Sequence, residues 1–291
     1  MTIDQETIRQ GEIVRCVVCG ADKEPEPALD GLLSGCVSCG FLWTADRLPP
    51  PEQLYDEAYY QTDGYRAYFD EARQRRFESA RRLRWLMSRV RPASLVEAGS
   101  AGGFFVEAAR RAGVDASGVE VSEVASRFAR ERLGVPVVRG CFESFVAARP
   151  VDVVCAFHVL EHVEDPRAFL GAAREALVPG GWLALEVPNI ASAGARRLGT
   201  AWPAIAPAYH RWHFSPVTLR QILEDCGFRM CGHDTVFSRF YWRALPRWAH
   251  ARELFIADTA ASRSPSVRHP WLGDLLRVFA RRDDDAKGGA R

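Results

Sequence analysis

With 291 residues, 47% of them hydrophobic, and a formal net charge of +1, the chain has room for one large domain and a small module. Near-neutrality argues against a protein whose main partner is nucleic acid or an anionic membrane. No apolar run approaches the ~20 residues that span a bilayer, and Met1 to Gln10 is polar, so the chain is expected in the cytoplasm.

Cys16-Val17-Val18-Cys19-Gly20 and Cys36-Val37-Ser38-Cys39-Gly40 form two C-x-x-C-G knuckles. Four thiolates at this spacing can close a tetrahedral shell around Zn2+ with no open position, so Cys16, Cys19, Cys36 and Cys39 are read as ligands of a structural metal. Redox chemistry is the alternative for such pairs. A thioredoxin-like pair, however, opens a helix inside a βαβ unit, whereas both pairs here precede the core. Cys141, Cys155, Cys226 and Cys231 are scattered and read as small buried residues.

Residues 1–47 thus form a zinc-ribbon-like module, and residues 48–91 a linker and helical cap. Leu48-Pro49-Pro50-Pro51-Glu52 is stiff, and Tyr55 to Tyr60 adds aromatic residues near it. Apolar residues at helical spacing predict a helix from Tyr65 to Val90. Its other side carries Arg66, Arg73, Arg75, Arg81, Arg82, Arg84 and Arg89, read as a solvated face, with an RNA or phosphate patch as the alternative.

The core begins at Leu95-Val96-Glu97-Ala98-Gly99-Ser100-Ala101-Gly102-Gly103-Phe104-Phe105, a buried strand breaking through glycines into a helix. Glycines let the backbone approach a ligand, and the free N–H groups of a helix start accept an anionic group. Val114 to Val121 is a second strand bearing Glu120, followed by a helix from Glu123 to Leu133 and a short strand from Val135 to Val138. Val151 to Phe157 is a nearly continuous apolar run, as expected of a parallel strand buried on both faces. A helix follows from Pro166 to Leu177, ended by Pro179-Gly180-Gly181, and Trp182 to Val187 is the next strand. This alternation indicates a doubly wound α/β sheet. The last strand is expected at Asp274 to Ala280, after a long connection at 235–270 with Tyr241, Trp242, Trp248 and Phe255, suited to a lid or an oligomer contact. The charged tail 283–291 is read as disordered.

A dinucleotide fingerprint starting at Gly99 needs glycines at 101 and 104, where Ala101 and Phe104 stand. Glu97-x-Gly99-x-x-x-Gly103 instead resembles the first motif of class I S-adenosylmethionine-dependent methyltransferases, with Ala101 where that family usually has a second glycine. That cofactor lacks a pyrophosphate and carries an amino group an acid can meet. His158-Val159-Leu160-Glu161-His162-Val163, Val178-Pro179-Gly180-Gly181 and Phe214 to Leu219 leading to Cys226-Gly227-Phe228 resemble later motifs of the same family. The resemblance implies a Rossmann-like seven-stranded sheet over 92–282, with Glu97, Gly99, Ala101, Gly103, Glu120, Val121, Phe142, Glu143 and Phe157 around S-adenosylmethionine, and Glu120 on its ribose.

A hydroxyl or amine acceptor needs a base, and histidine suits that task. His158, His162, His210 and His213 are the candidates. His162 matches the Leu-Glu-His histidine of the family, which phosphoethanolamine methyltransferases place opposite an N-terminal tyrosine; a histidine that only fixes the loop is the other reading. By the same resemblance Tyr65 or Tyr68 lines the site, with aromatic core as the alternative. His210 and His213 could bind a metal from one helical face, but the sequence shows no carboxylate cluster beside them, so substrate contact or loop anchoring is preferred. The expected function is methyl transfer to a small-molecule biosynthetic intermediate, with no nucleic acid or membrane partner and a possible homo-oligomer. An rRNA base methyltransferase and a non-catalytic zinc-binding interaction protein are the rivals. Phe157-His158-Val159-Leu160 stands where amino-group base methylases carry N/D-P-P-Y/F, which counts against the first.

Overall fold

The computed structural model describes residues 12–55, 68–236 and 273–283. Five short strands come first: β1 (Val14–Arg15), β2 (Asp22–Lys23), β3 (Glu26–Ala28), β4 (Leu33–Gly35) and β5 (Leu42–Thr44). They are followed by α1 (Pro51–Leu54) and α2 (Ala72–Met87). The core then alternates β6 (Ser94–Ala98), α3 (Phe104–Arg111), β7 (Asp115–Glu120), α4 (Glu123–Arg132), β8 (Val137–Arg139), β9 (Val151–Phe157), α5 (Pro166–Ala176) and β10 (Leu177–Pro188). It closes with α6 (Ala193–Leu198), β11 (Trp212–His213), α7 (Pro216–Asp225), β12 (Phe228–Val236) and β13 (Leu275–Arg282).

Seven strands form one sheet in the order β12-β13-β10-β9-β6-β7-β8, with β13 antiparallel to both neighbours. Both faces are covered, which is why β9 reads as a nearly continuous apolar run, broken only by Asp152. Val153, Cys155 and Phe157 pack with Leu83 and Leu86 of α2 and Phe105 and Ala109 of α3, while Val154 and Ala156 pack with α5 and α7. The chain winds outward from β6 toward β8 and then returns through β9 to β10, so the strand order reverses between β6 and β9. Ligands bind beyond the carboxyl ends of strands at such a reversal, and Glu97, Glu120 and Phe157 lie near those ends.

Local chemistry sets the helix starts. Asp165 accepts hydrogen bonds from the N–H groups of Arg167 (2.7 Å) and Ala168 (3.2 Å) ahead of Pro166, and Ser215 and Thr218 close a capping box on α7.

Several expectations are corrected. α5 ends at Ala176, and β10 already begins at Leu177, with a register irregularity between Leu177 and Trp182. Pro179-Gly180-Gly181 is therefore a bulge inside a strand, tolerated because Leu177 still pairs with Val151. α2 is shorter than the predicted helix, with a turn at 68–71; Tyr65 and Arg66 lie outside the described residues, as do most of the connection 235–270 and all but Asp283 of the tail. The arginine side of α2 is not uniformly solvated. Arg82 turns inward onto Glu186, and Arg89 pairs with Asp234.

Glu186 is the main polar anchor of the sheet. It is 1% exposed and takes Arg82 on Oε1 (2.5 Å) and Arg277 on Oε2. Burial pushes a carboxyl pKa up, but Arg277, Arg82 and His158 outweigh it and hold this one well below the ordinary range. Removing one partner of a buried pair leaves the others uncompensated, so Glu186→Ala is expected to cost ~3–5 kcal/mol. That loss lowers the thermal midpoint by roughly 10 °C, measurable by calorimetry.

The small N-terminal module is tied to the core. β5 pairs with β11 to give a four-stranded sheet in the order β11-β5-β4-β3, and Arg167 of α5 donates to the carbonyls of Val17 and Val18. Cys16, Val18, Phe41 and Trp43 are continuous with the core on the α5 and α7 face of the large sheet.

Candidate functional site

The turn from β6 into α3 is tight and closely packed. Gly99 has φ +62°, and a Cβ there would lie 2.4 Å from a methyl of Val159, so only glycine fits. Ala101 also sits at positive φ (+46°) and keeps the tight turn expected of a second glycine. Glu120 spans this turn from the end of β7, accepting from Ala101 N–H (2.7 Å) and Ser122 N–H (2.8 Å). Burial raises the pKa of Glu120, and those N–H groups oppose the rise.

Glu97 is 5% exposed, and its Oε2 is buried without a hydrogen-bond partner; Ser100 Oγ is in the same state. Burial lifts its carboxyl well above the ordinary range, with Arg82 pulling down and Glu120 adding to the rise. A buried carboxylate oxygen without a donor is costly, and a ligand ammonium would remove that cost. The residues therefore fit a cofactor that brings an amino group to Glu97 and hydroxyls to Glu120.

Tyr68 covers the turn, its ring so near Gly102 that a Cβ there would approach to 3.3 Å. Arg75 lies over the same ring at 4.4 Å, and burial pushes the Tyr68 phenol up to about 12. Phe142 is packed on Phe145 and Phe169, and Phe157 on Phe105 beneath the Arg82 guanidinium, so both rings are held in the core near the strand ends. Val121 follows β7 half-buried, and Glu143 is half-buried in the short helical turn after β8.

The four candidate histidines gather beyond β9. His162 Nδ1 lies 2.6 Å from the Tyr55 hydroxyl and 3.0 Å from the Tyr209 carbonyl, while its Nε2 faces Glu161 Oε1 at 3.8 Å. His210 packs edge-on against His162 with ring centroids 4.6 Å apart, and its Nδ1 donates to the Ala204 carbonyl. His213 Nε2 pairs with Thr44 Oγ1 at 3.1 Å, and that hydroxyl also donates to the His210 carbonyl. Burial lowers all three: His210 to about 3, His213 to about 4, and His162 below its ordinary value despite Glu161. His158 differs. Its Nδ1 meets Glu161 (3.2 Å) and its Nε2 meets Glu186 (3.3 Å), and these carboxylates override burial and raise it to about 9.

His210 and His213 do not share a helical face, since His213 is in β11. The carboxylate not foreseen beside them is Glu161, whose ligand atom lies with those of His162 and His210 inside a 4.8 Å cluster. His158, whose pKa its two carboxylates raise to about 9, also reaches the Glu161 oxygen of that cluster at 3.2 Å.

A family profile for the methyltransferase domain matches residues 69–231. The chain belongs to the methyltransferase-domain family. It is 34% identical over 117 residues to the ubiquinone biosynthesis O-methyltransferase of Thiobacillus denitrificans, covering 37% of this chain and 50% of that protein. It is 29% identical over 173 residues to the same enzyme of Caulobacter vibrioides, covering 55% and 68%. Against the Thiobacillus denitrificans and Bordetella avium proteins, the chain spans about half of their length. Two solved structures share the fold. A SAM-dependent methyltransferase from Archaeoglobus fulgidus is 20% identical with a TM-score of 0.54, over 75% of this chain and 100% of that one. The magnesium protoporphyrin IX methyltransferase of Synechocystis PCC 6803, with bound SAH, is 15% identical with a TM-score of 0.54, over 78% and 97%.

The methyltransferase domain thus has its glycine turn at the strand-order reversal, with the histidine loop packed on it through Val159. Sequence reasoning did not single out Tyr55, Glu161 or Glu186. Glu161 and Glu186 carried a usable signal, being acids inside apolar segments, which in a buried position implies a paired charge. Tyr55 carried only its place in an aromatic stretch.

The cysteines of the N-terminal module fit a metal. Sγ of Cys16 and Cys39 are 3.7 Å apart and those of Cys19 and Cys36 3.6 Å, with all four inside 4.8 Å. A tetrahedron with metal–sulfur bonds of ~2.3 Å has edges of about 3.8 Å. The two knuckles repeat one backbone pattern: Gly20 N–H donates to Cys16 O and Gly40 N–H to Cys36 O, each at 2.8 Å.

Proposed function

We propose that the chain is an S-adenosylmethionine-dependent O-methyltransferase of a small-molecule biosynthetic intermediate, with His162 as the base and a structural Zn2+ on Cys16, Cys19, Cys36 and Cys39. The observation that carries the base is the Tyr55 hydroxyl 2.6 Å from His162 Nδ1, with Glu161 on the opposite side of the ring. A hydroxyl at one ring nitrogen and a carboxylate at the other is the arrangement of an oriented general base. Support for the oxygen acceptor comes from the named relatives, which are O-methyltransferases.

Glu97, Glu120 and the Gly99 to Gly103 turn would hold the cofactor, with Val121, Phe142, Glu143 and Phe157 around it. When bound, S-adenosylmethionine supplies an electrophilic methyl group. Transfer to oxygen is an in-line displacement, so the protein's part is to bring the hydroxyl close, exclude water and take its proton. Burial lowers the His162 pKa and favours the neutral ring; with its Nε2–H toward Glu161, Nδ1 can take a proton from the Tyr55 hydroxyl as that hydroxyl takes the acceptor's, and the Tyr209 carbonyl accepts from the Nδ1–H that forms. Glu161 then faces the imidazolium that forms. His210 and His213 are pinned by Ala204 and Thr44 and brace the loop.

The test is His162→Ala with hydroxylated aromatic and sugar acceptors, following formation of S-adenosylhomocysteine. Cofactor affinity should be unchanged and turnover should fall about 10²–10⁴-fold. Wild-type turnover in the variant would remove His162 from the mechanism.

A further inference from the structure

His158 has a backbone conformation that few side chains adopt, with φ +58° immediately after β9. Such outliers persist where surrounding structure holds them, and they gather at functional sites. Here the hold is explicit: His158 N–H donates to the Glu186 carbonyl at 2.8 Å, and both ring nitrogens meet buried carboxylates. Arg277 and Arg82, Glu186, His158, Glu161 and His162 therefore form one row of alternating charge that ends at the ring read above as the base.

We propose that His158 is a positioning residue that engages the Glu161 carboxylate as an imidazolium and so keeps His162 from being drawn into permanent protonation. The inference rests on the reading of His162 as the base. Glu161 is 0% exposed and next to His162 in sequence; left to itself, a buried carboxylate there would stabilise imidazolium at His162 and spoil it as a proton acceptor near neutral pH. His158 approaches Oε1 at 3.2 Å, closer than the 3.8 Å of His162 Nε2. The other groups facing His162 are the Tyr55 hydroxyl, the Tyr209 carbonyl, the neutral His210 ring and Arg211, whose positive charge also disfavours imidazolium. The charge states agree with this division. His158 is raised to about 9, Glu161 is lowered by His158 and the neighbouring histidines despite burial, and His162 is lowered. His158 is thereby separated from the base candidates, because neither of its ring nitrogens is open to an acceptor.

The test is an NMR titration of the histidine ring nitrogens in the full chain, which needs no acceptor. In the wild type, His158 should stay protonated to about pH 9 while His162 titrates below the ordinary imidazole range. His158→Asn and His158→Gly both suit positive φ and remove the charge, and each should raise the His162 midpoint by about one pH unit. Glu161→Gln should move it the opposite way. A His158 that titrates with or below His162 in the wild type overturns the proposal, as does a His162 midpoint unmoved in a folded His158 variant. The titration is independent of turnover, so it separates failure of this inference from failure of His162 as the base.

Discussion

Glu120→Ala is expected to abolish measurable S-adenosylmethionine binding while leaving the sheet folded. Glu120 is 6% exposed at the end of β7, and its two oxygens already hold the Ala101 and Ser122 N–H groups that shape the turn. Charge-assisted hydrogen bonds from the carboxylate to two ribose hydroxyls would contribute ~1.5–3 kcal/mol each, so their loss weakens binding about 10²–10⁴-fold. Release of Ala101 from its positive φ adds to that loss, because the turn is then no longer held in the binding shape. Glu120→Gln keeps the side-chain size and one acceptor and should fall between the two. Calorimetric titration measures all three proteins; an Ala variant that binds within about threefold of the wild type would remove Glu120 from the cofactor site.

Removal of the proposed structural zinc is the second large effect expected. The four thiols have tetrahedral-edge spacing, and strands of two or three residues cannot fold a module of this size through hydrogen bonding alone. In zinc-finger peptides the metal supplies ~10–16 kcal/mol of apparent folding energy. A chelator, or Cys39→Ser, should therefore release one zinc per chain and unfold β3, β4 and β5. The effect reaches the histidines because β5 pairs with β11, Thr44 holds the His210 carbonyl and the His213 ring, and Arg211 reaches Pro49. Amide exchange at 210–213 should rise while cofactor affinity stays within about threefold, since the glycine turn is held by Glu120 of β7 rather than by the module. Purified protein without stoichiometric zinc, or with exchange at 210–213 unaffected by its loss, would contradict this role.

Much of the sheet was legible because each strand and helix carried its own local signal. The Val151 to Phe157 strand was read to the residue, and Asp165 with Pro166 marked the start of α5. The glycine turn was legible for the same reason, its neighbours being adjacent in sequence. Pro179-Gly180-Gly181 misled because proline and glycine usually end elements, whereas the pairing of Leu177 with Val151 carries β10 through them. The acceptor side depended on contacts that no periodicity encodes. Tyr55 meets His162 across 107 positions and Arg82 meets Glu186 across 104. β11 has only two residues and exists as a strand because β5 is there to pair with it, so nothing in its own sequence announced the joint between module and core.

The most direct test of the central claim is calorimetric titration of the purified chain with S-adenosylmethionine, with NAD(H) as the control ligand. Saturable binding of one S-adenosylmethionine per chain and none of NAD(H) is the result predicted by the Glu97 carboxyl oxygen left without a hydrogen bond and by Ala101 and Phe104 in place of fingerprint glycines. Binding of NAD(H), or of neither ligand, would contradict the account.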